Sequence, residues 1–95
     1  MPPVRRIVAD VLKPHAPSLV EFAEQMAEVE GVSAVNATVL ENDAETQTIE
    51  LTAEGDDVSA DRLRETIENI GGSLHSIDEV SCGEYTVEKR GPARE

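Results

Sequence analysis

Apolar and polar positions alternate loosely over residues 4–13, where Ile7, Val8, Val11 and Leu12 supply the apolar members, and the pattern predicts a strand. Pro14 closes it. Pro17 suits the first turn of a helix, because its missing N–H has no partner there, and Ser18 with Glu21 has capping-box spacing. Leu19, Phe22, Ala23 and Met26 then recur at helical spacing, with Glu21, Glu24, Gln25 and Glu28 on the other face. Gly31 is expected to end this helix. A second strand is predicted over 32–41, with Val35, Ala37 and Val39 on one side. Residues 42–45 make a polar turn of hairpin length. Residues 46–54 show the cleanest alternation, Ile49, Leu51 and Ala53 against Thr48, Glu50 and Thr52. Ser59 caps a second helix with Asp61 in its first turn and Leu63, Ile67 and Ile70 as its buried stripe. Gly71 and Gly72 end it. A last strand begins near Ser73 and is expected to continue, past a break at Cys82 and Gly83, through Tyr85, Thr86 and Val87.

The order is βαββαβ, and the halves match in length. Val11 to Gly31 is 20 positions, as is Leu51 to Gly71. Two equal βαβ units joined by a hairpin describe an α+β, ferredoxin-like sandwich: a four-stranded antiparallel sheet with two helices on one face. Alternation then assigns the faces. Ile7, Ala9 and Val11 pack under the helices with Ile49, Leu51 and Ala53. The bare face receives Val8, Asp10 and Leu12, then Thr48, Glu50 and Thr52, then Ala34, Asn36, Thr38 and Leu40. In the last strand Leu74, Ile77 and Val80 are three apart, which period 2 does not accommodate. A bulge near His75 and Ser76 would reset the phase and send His75 to the bare face or the sheet edge. Asp78 and Glu79 straddle the strand, so only one of them shares a face with His75.

The length of 95 residues fits one domain, with an ordered core over about 4–88 and a flexible tail expected over 89–95. A modest core makes oligomerisation useful. Aromatics are 2% of the chain, Phe22 and Tyr85, so the core is aliphatic. No apolar run is long enough for a membrane span, and the start lacks a secretory leader pattern, so a soluble, cytoplasmic domain is expected. Charge narrows the partners. Twenty acids against eight bases give −12, a field that repels phosphate backbones and excludes nucleic acid as a partner. Lysine occurs only at Lys13 and Lys89. Such a surface either binds cations and basic partners or is an adaptation to a salty cytoplasm, where salt screens the carboxylates. The second reading predicts loosening at low salt.

Asp10, Glu50 and Asp78 offer hard oxygen ligands suited to calcium or another divalent cation, and His75 would admit a transition metal. No local loop motif gathers them, so ligands must come from several strands or two subunits. No catalytic residue is expected. Cys82 sits near Glu79 and Glu84, whose charge opposes thiolate formation. Gly71 and Gly72 end a helix, whereas phosphates sit at helix starts. Lys13 is expected to neutralise a carboxylate such as Glu54 or to meet an acidic partner group.

Three stretches, DVLKPH (10–15), EGVSAVN (30–36) and GGSLHSIDEVSCG (71–83), resemble the small archaeal family of unknown function called DUF211, and the likeness runs from Arg5 to Val87. That resemblance implies compact ferredoxin-like domains in homo-oligomers, no established enzymatic activity and, in some members, divalent cations held by acidic residues, calcium included. A salt-loving archaeal source would account for the scarce lysines. The expectation is therefore a non-enzymatic homo-oligomer holding a divalent cation through Asp10, Glu50, His75 and Asp78, with no organic cofactor. The alternative is a small-molecule-sensing regulatory domain resembling ACT modules. An acylphosphatase-like enzyme would want an arginine cradle after the first strand, where the chain has Lys13, Pro14 and His15.

Overall fold

The computed structural model describes residues 2–87. The tail expected over 89–95 lies outside the described residues. The elements are β1 (Val4–Pro14), α1 (Leu19–Ala27), β2 (Ala34–Asn42), β3 (Thr46–Glu54), α2 (Ala60–Asn69) and β4 (Ser73–Cys82). The sheet order is β2-β3-β1-β4, and every neighbouring pair is antiparallel. The two helices join parallel strands across an intervening one, which is the ferredoxin-like α+β sandwich.

Alternation places the core as expected. Ile7, Ala9 and Val11 of β1 and Ile49, Leu51 and Ala53 of β3 are buried against Phe22, Met26, Leu63 and Ile67 of the helices. Val58, in the turn before α2, is a core member that periodicity did not reveal, being 2% exposed. It precedes the cap Ser59 and stands five residues before Leu63. That spacing makes it the outer half of a hydrophobic staple, which fixes how the chain enters the helix. Its N–H also donates to the Val4 carbonyl at 2.8 Å.

Of the two starts open to helix α1, the structure takes the capping box at Ser18 and not Pro17. The Ser18 hydroxyl accepts from the Glu21 N–H, and the Glu21 carboxylate accepts from the Ser18 N–H, so the closed box sets the start. The helix ends at Ala27 with Glu28 as its cap, and Gly31, at φ 92°, instead turns the chain into β2. Strand β4 stops at Cys82. Gly83, at φ 118°, redirects the backbone, and the Val87 N–H donates to the Ser81 hydroxyl at 3.1 Å in place of a ladder bond.

At one end of the sheet the loops before β2 and after β3 meet backbone to backbone. The Ser33 N–H donates to the Glu54 carbonyl at 2.7 Å. A Cβ on Gly31 would collide with the Asp57 carbonyl, and one on Gly55 with the Gly31 carbonyl. Close approach, as well as positive φ at Gly31, requires glycine here.

Candidate functional site

The bare face is built on the central pair. Register sets Arg6 opposite Glu54, Val8 opposite Thr52, Asp10 opposite Glu50, and Leu12 opposite Thr48. Thr38 flanks Glu50 from β2, and Ser76 flanks Asp10 from β4. Two carboxylates thus face each other across adjacent strands, where opposed Cβ atoms lie about 4.5–5.5 Å apart. Asp10 is half-buried and Glu50 exposed. Neither has a hydrogen-bond or ion-pair partner among the described residues. Like charges placed so destabilise a sheet unless something neutralises them.

The bulge expected at His75 is present, and a second follows. Val11 pairs with Leu74 and Asp10 with Ser76, so His75 is passed over; Ala9 pairs with Ile77 and Val8 with Glu79, so Asp78 is passed over too. The first bulge brings His75 to a pocket of about 280 Å³ that it shares with Asp10, Leu12 and Thr48. The second leaves Asp78 exposed, where it accepts a hydrogen bond from the Ser76 hydroxyl at 3.0 Å. Of the four expected ligands, then, Asp10 and Glu50 are register partners, His75 joins Asp10 at a pocket, and Asp78 stands on the irregular edge. Among the described residues no group of three or more His, Cys, Asp or Glu side chains is arranged to hold a metal ion.

Glu79 is on the bare face but engaged. Arg6 donates from Nε to Glu54 at 2.8 Å and from Nη1 to Glu79 at 3.0 Å, tying β3, β1 and β4 together. Its side chain is only 12% exposed. This clamp was available from the sequence, since the register that opposes Asp10 and Glu50 also opposes Arg6 and Glu54, four residues further along each strand.

Lys13 is not paired with Glu54. Alternation sends it inward beyond Val11, and it is 0% exposed. Its ammonium donates to the Pro14 carbonyl at 2.8 Å, the Gln47 side-chain oxygen at 2.9 Å and the His15 carbonyl at 3.4 Å. Burial holds its pKa below the usual lysine value of 10.5. His15 closes the same corner through Nε2, 2.7 Å from the Asp43 carbonyl; that nitrogen donates, since a carbonyl only accepts.

The bare face therefore offers an unneutralised carboxylate pair with hydroxyls beside it, an imidazole at one pocket and an aliphatic floor from Val8 and Leu12. Hard-cation coordination is within its chemistry: calcium takes six to eight oxygens, of which Asp10 and Glu50 could supply up to about four. No helix among the described residues is long and apolar enough to cross a membrane.

The family model DUF211, described as an uncharacterized ArCR family, matches residues 5–95. Uncharacterized protein MJ0319 of Methanocaldococcus jannaschii is 42% identical over 86 residues, which is 90% of this chain and 89% of that protein. With nearly the whole length matched in both comparisons, the chain belongs to the DUF211 family.

Proposed function

We propose that this protein is a self-assembling, cation-binding protein rather than an enzyme, with Asp10 and Glu50 holding a divalent cation of the calcium type on the bare sheet face. The observation that carries this reading is the opposed carboxylate pair on β1 and β3, which has no ion-pair partner among the described residues. A bound divalent ion would convert that repulsion into a crosslink between the two central strands. Two carboxylates do not fill a calcium shell, so water or a second copy would complete it. His75, at the pocket beside Asp10, is the route by which a softer metal could compete. The net charge of −12 and the scarcity of lysine support a salty cytoplasm as the setting.

The test is calorimetric titration with calcium, with mass measured by light scattering before and after chelation. Binding is expected for the wild type and is expected to weaken at least about tenfold in Glu50→Gln. A protein that stays monomeric and takes up no calcium overturns the proposal.

A further inference from the structure

The two edges of the sheet are built differently. β4 is broken by bulges at His75 and Asp78 and carries acids beside them. Such irregularity and charge block edge-to-edge pairing. β2 is regular over most of its length. From Ala34 to Val39 its register with β3 runs without a shift, and a single step follows at Leu40. Residues 31–40 contain no Asp, Glu, Lys or Arg, the longest such run in a chain whose charged fraction is 29%. An edge strand leaves alternate N–H and C=O groups without ladder partners. Two copies that each carry −12 repel wherever they meet, and least where a ten-residue stretch is uncharged.

We infer that β2 is a self-pairing edge: two copies join β2 to β2, antiparallel, about a two-fold axis at Ala37, continuing the sheet across both chains. This rests on the self-assembly reading above and names its contact. The register makes the strand complementary to itself. Ala37 meets its own counterpart, and Val35 meets Val39 on the helix side. On the bare side Asn36 meets Thr38, and Leu40, at the register step that ends the regular stretch, reaches toward Ala34. The two bare-side matches have support in the single chain. Asn36 already donates from Nδ2 to Thr38 Oγ1 within its own strand at 3.2 Å, so the same groups can exchange partners across the axis. Leu40 is a large apolar side chain left 54% exposed. Ala34, its counterpart, lines a pocket of about 230 Å³ with Asn36, Thr52 and Glu54, and the partner's leucine would enter there. Isologous pairing closes after two copies, so the edge is consumed rather than left open to growth.

Three measurements test it in the full chain. Light scattering over a range of protein concentrations gives the mass. Thr38→Glu places two carboxylates beside the axis, on an exposed side chain, with folding checked by circular dichroism. Ala37→Cys in a Cys82→Ser background places one thiol from each copy on the axis. The expected results are an even-numbered assembly, a dissociation constant raised at least about tenfold by Thr38→Glu, and an Ala37→Cys disulfide dimer under mild oxidation. A wild type that is monomeric throughout overturns both the assembly reading and this contact. An assembly that survives Thr38→Glu and gives no disulfide overturns the contact alone. An assembly broken by Thr38→Glu without an Ala37→Cys disulfide removes the two-fold register.

Discussion

Lys13 and Arg6 lie on the same strand and on opposite faces of it, and they hold their charges in contrasting ways. Arg6, on the bare face, is clamped between two carboxylates. Lys13, on the helix-covered face, is buried without an acid, its ammonium satisfied by three neutral oxygens. In a chain with twenty acids, the most buried lysine or arginine among the described residues is thus one with no ion pair there. The sign of the surrounding charge did not decide this. Position in the pleat did: an inward residue at the end of the core meets carbonyl groups of the adjoining corner, whereas an outward residue meets whatever the neighbouring strands present. Carboxylates stay in water, and the buried donor organises backbone.

That contrast can be broken experimentally. Lys13→Met leaves the Pro14, His15 and Gln47 oxygens without their donor, and a loss of about 2–3 kcal/mol in urea unfolding at neutral pH is expected. A neutral result would mean that the ammonium does not organise the corner. The pH dependence has a definite sign. Because burial lowers the folded-state pKa, the unfolded chain binds more protons between that pKa and 10.5. Wild-type stability relative to Lys13→Met should therefore rise with pH across that alkaline window and level off above it. Arg6→Gln is expected to cost less, about 1 kcal/mol, because its partners Glu54 and Glu79 are 45% and 30% exposed. Its defect should shrink in 1 M salt, where the repulsion between the two freed acids is screened. The smallest effect has the opposite direction. Glu50→Gln removes one of the opposed carboxylates and should stabilise the chain by about 0.2–1 kcal/mol at low salt without divalent cations. With saturating calcium the wild type should overtake it, since a ligand that binds only the folded state adds stability.

Much of this arrangement could be read from residue order, and the misses are instructive. The alternation over 46–54 is strong because one face is core and the other is water, and β3 spans Thr46–Glu54 as expected. The three-residue spacing of Leu74, Ile77 and Val80 exposed the bulge at His75, but one reset does not satisfy the whole strand. The register also steps at Asp78, where Ile77 and Val80 repeat the same three-residue interval, a signal weakened on an edge where both are half out in solvent. Alternation pointed Lys13 inward, while its charge argued for an exposed carboxylate partner; the hydrogen-bonding capacity of a tight corner overrode residue type. Val58 escaped notice because a single apolar residue in a turn has no period. The candidate ligands came only partly together, since alternation assigns a residue to a face but not to a place along it.

The glycine stitch between Gly31 and Gly55 bears on how this chain can be altered. Where two main chains lie against each other with no side chain between them, there is nothing to trim and no slack to lengthen. An epitope tag or an extra loop belongs at the far end of the molecule, near the exposed Ala44 in the hairpin tip. The same stitch binds the ends of β2 and β3 into one unit, so local opening of the sheet should begin from the hairpin and not from the loops.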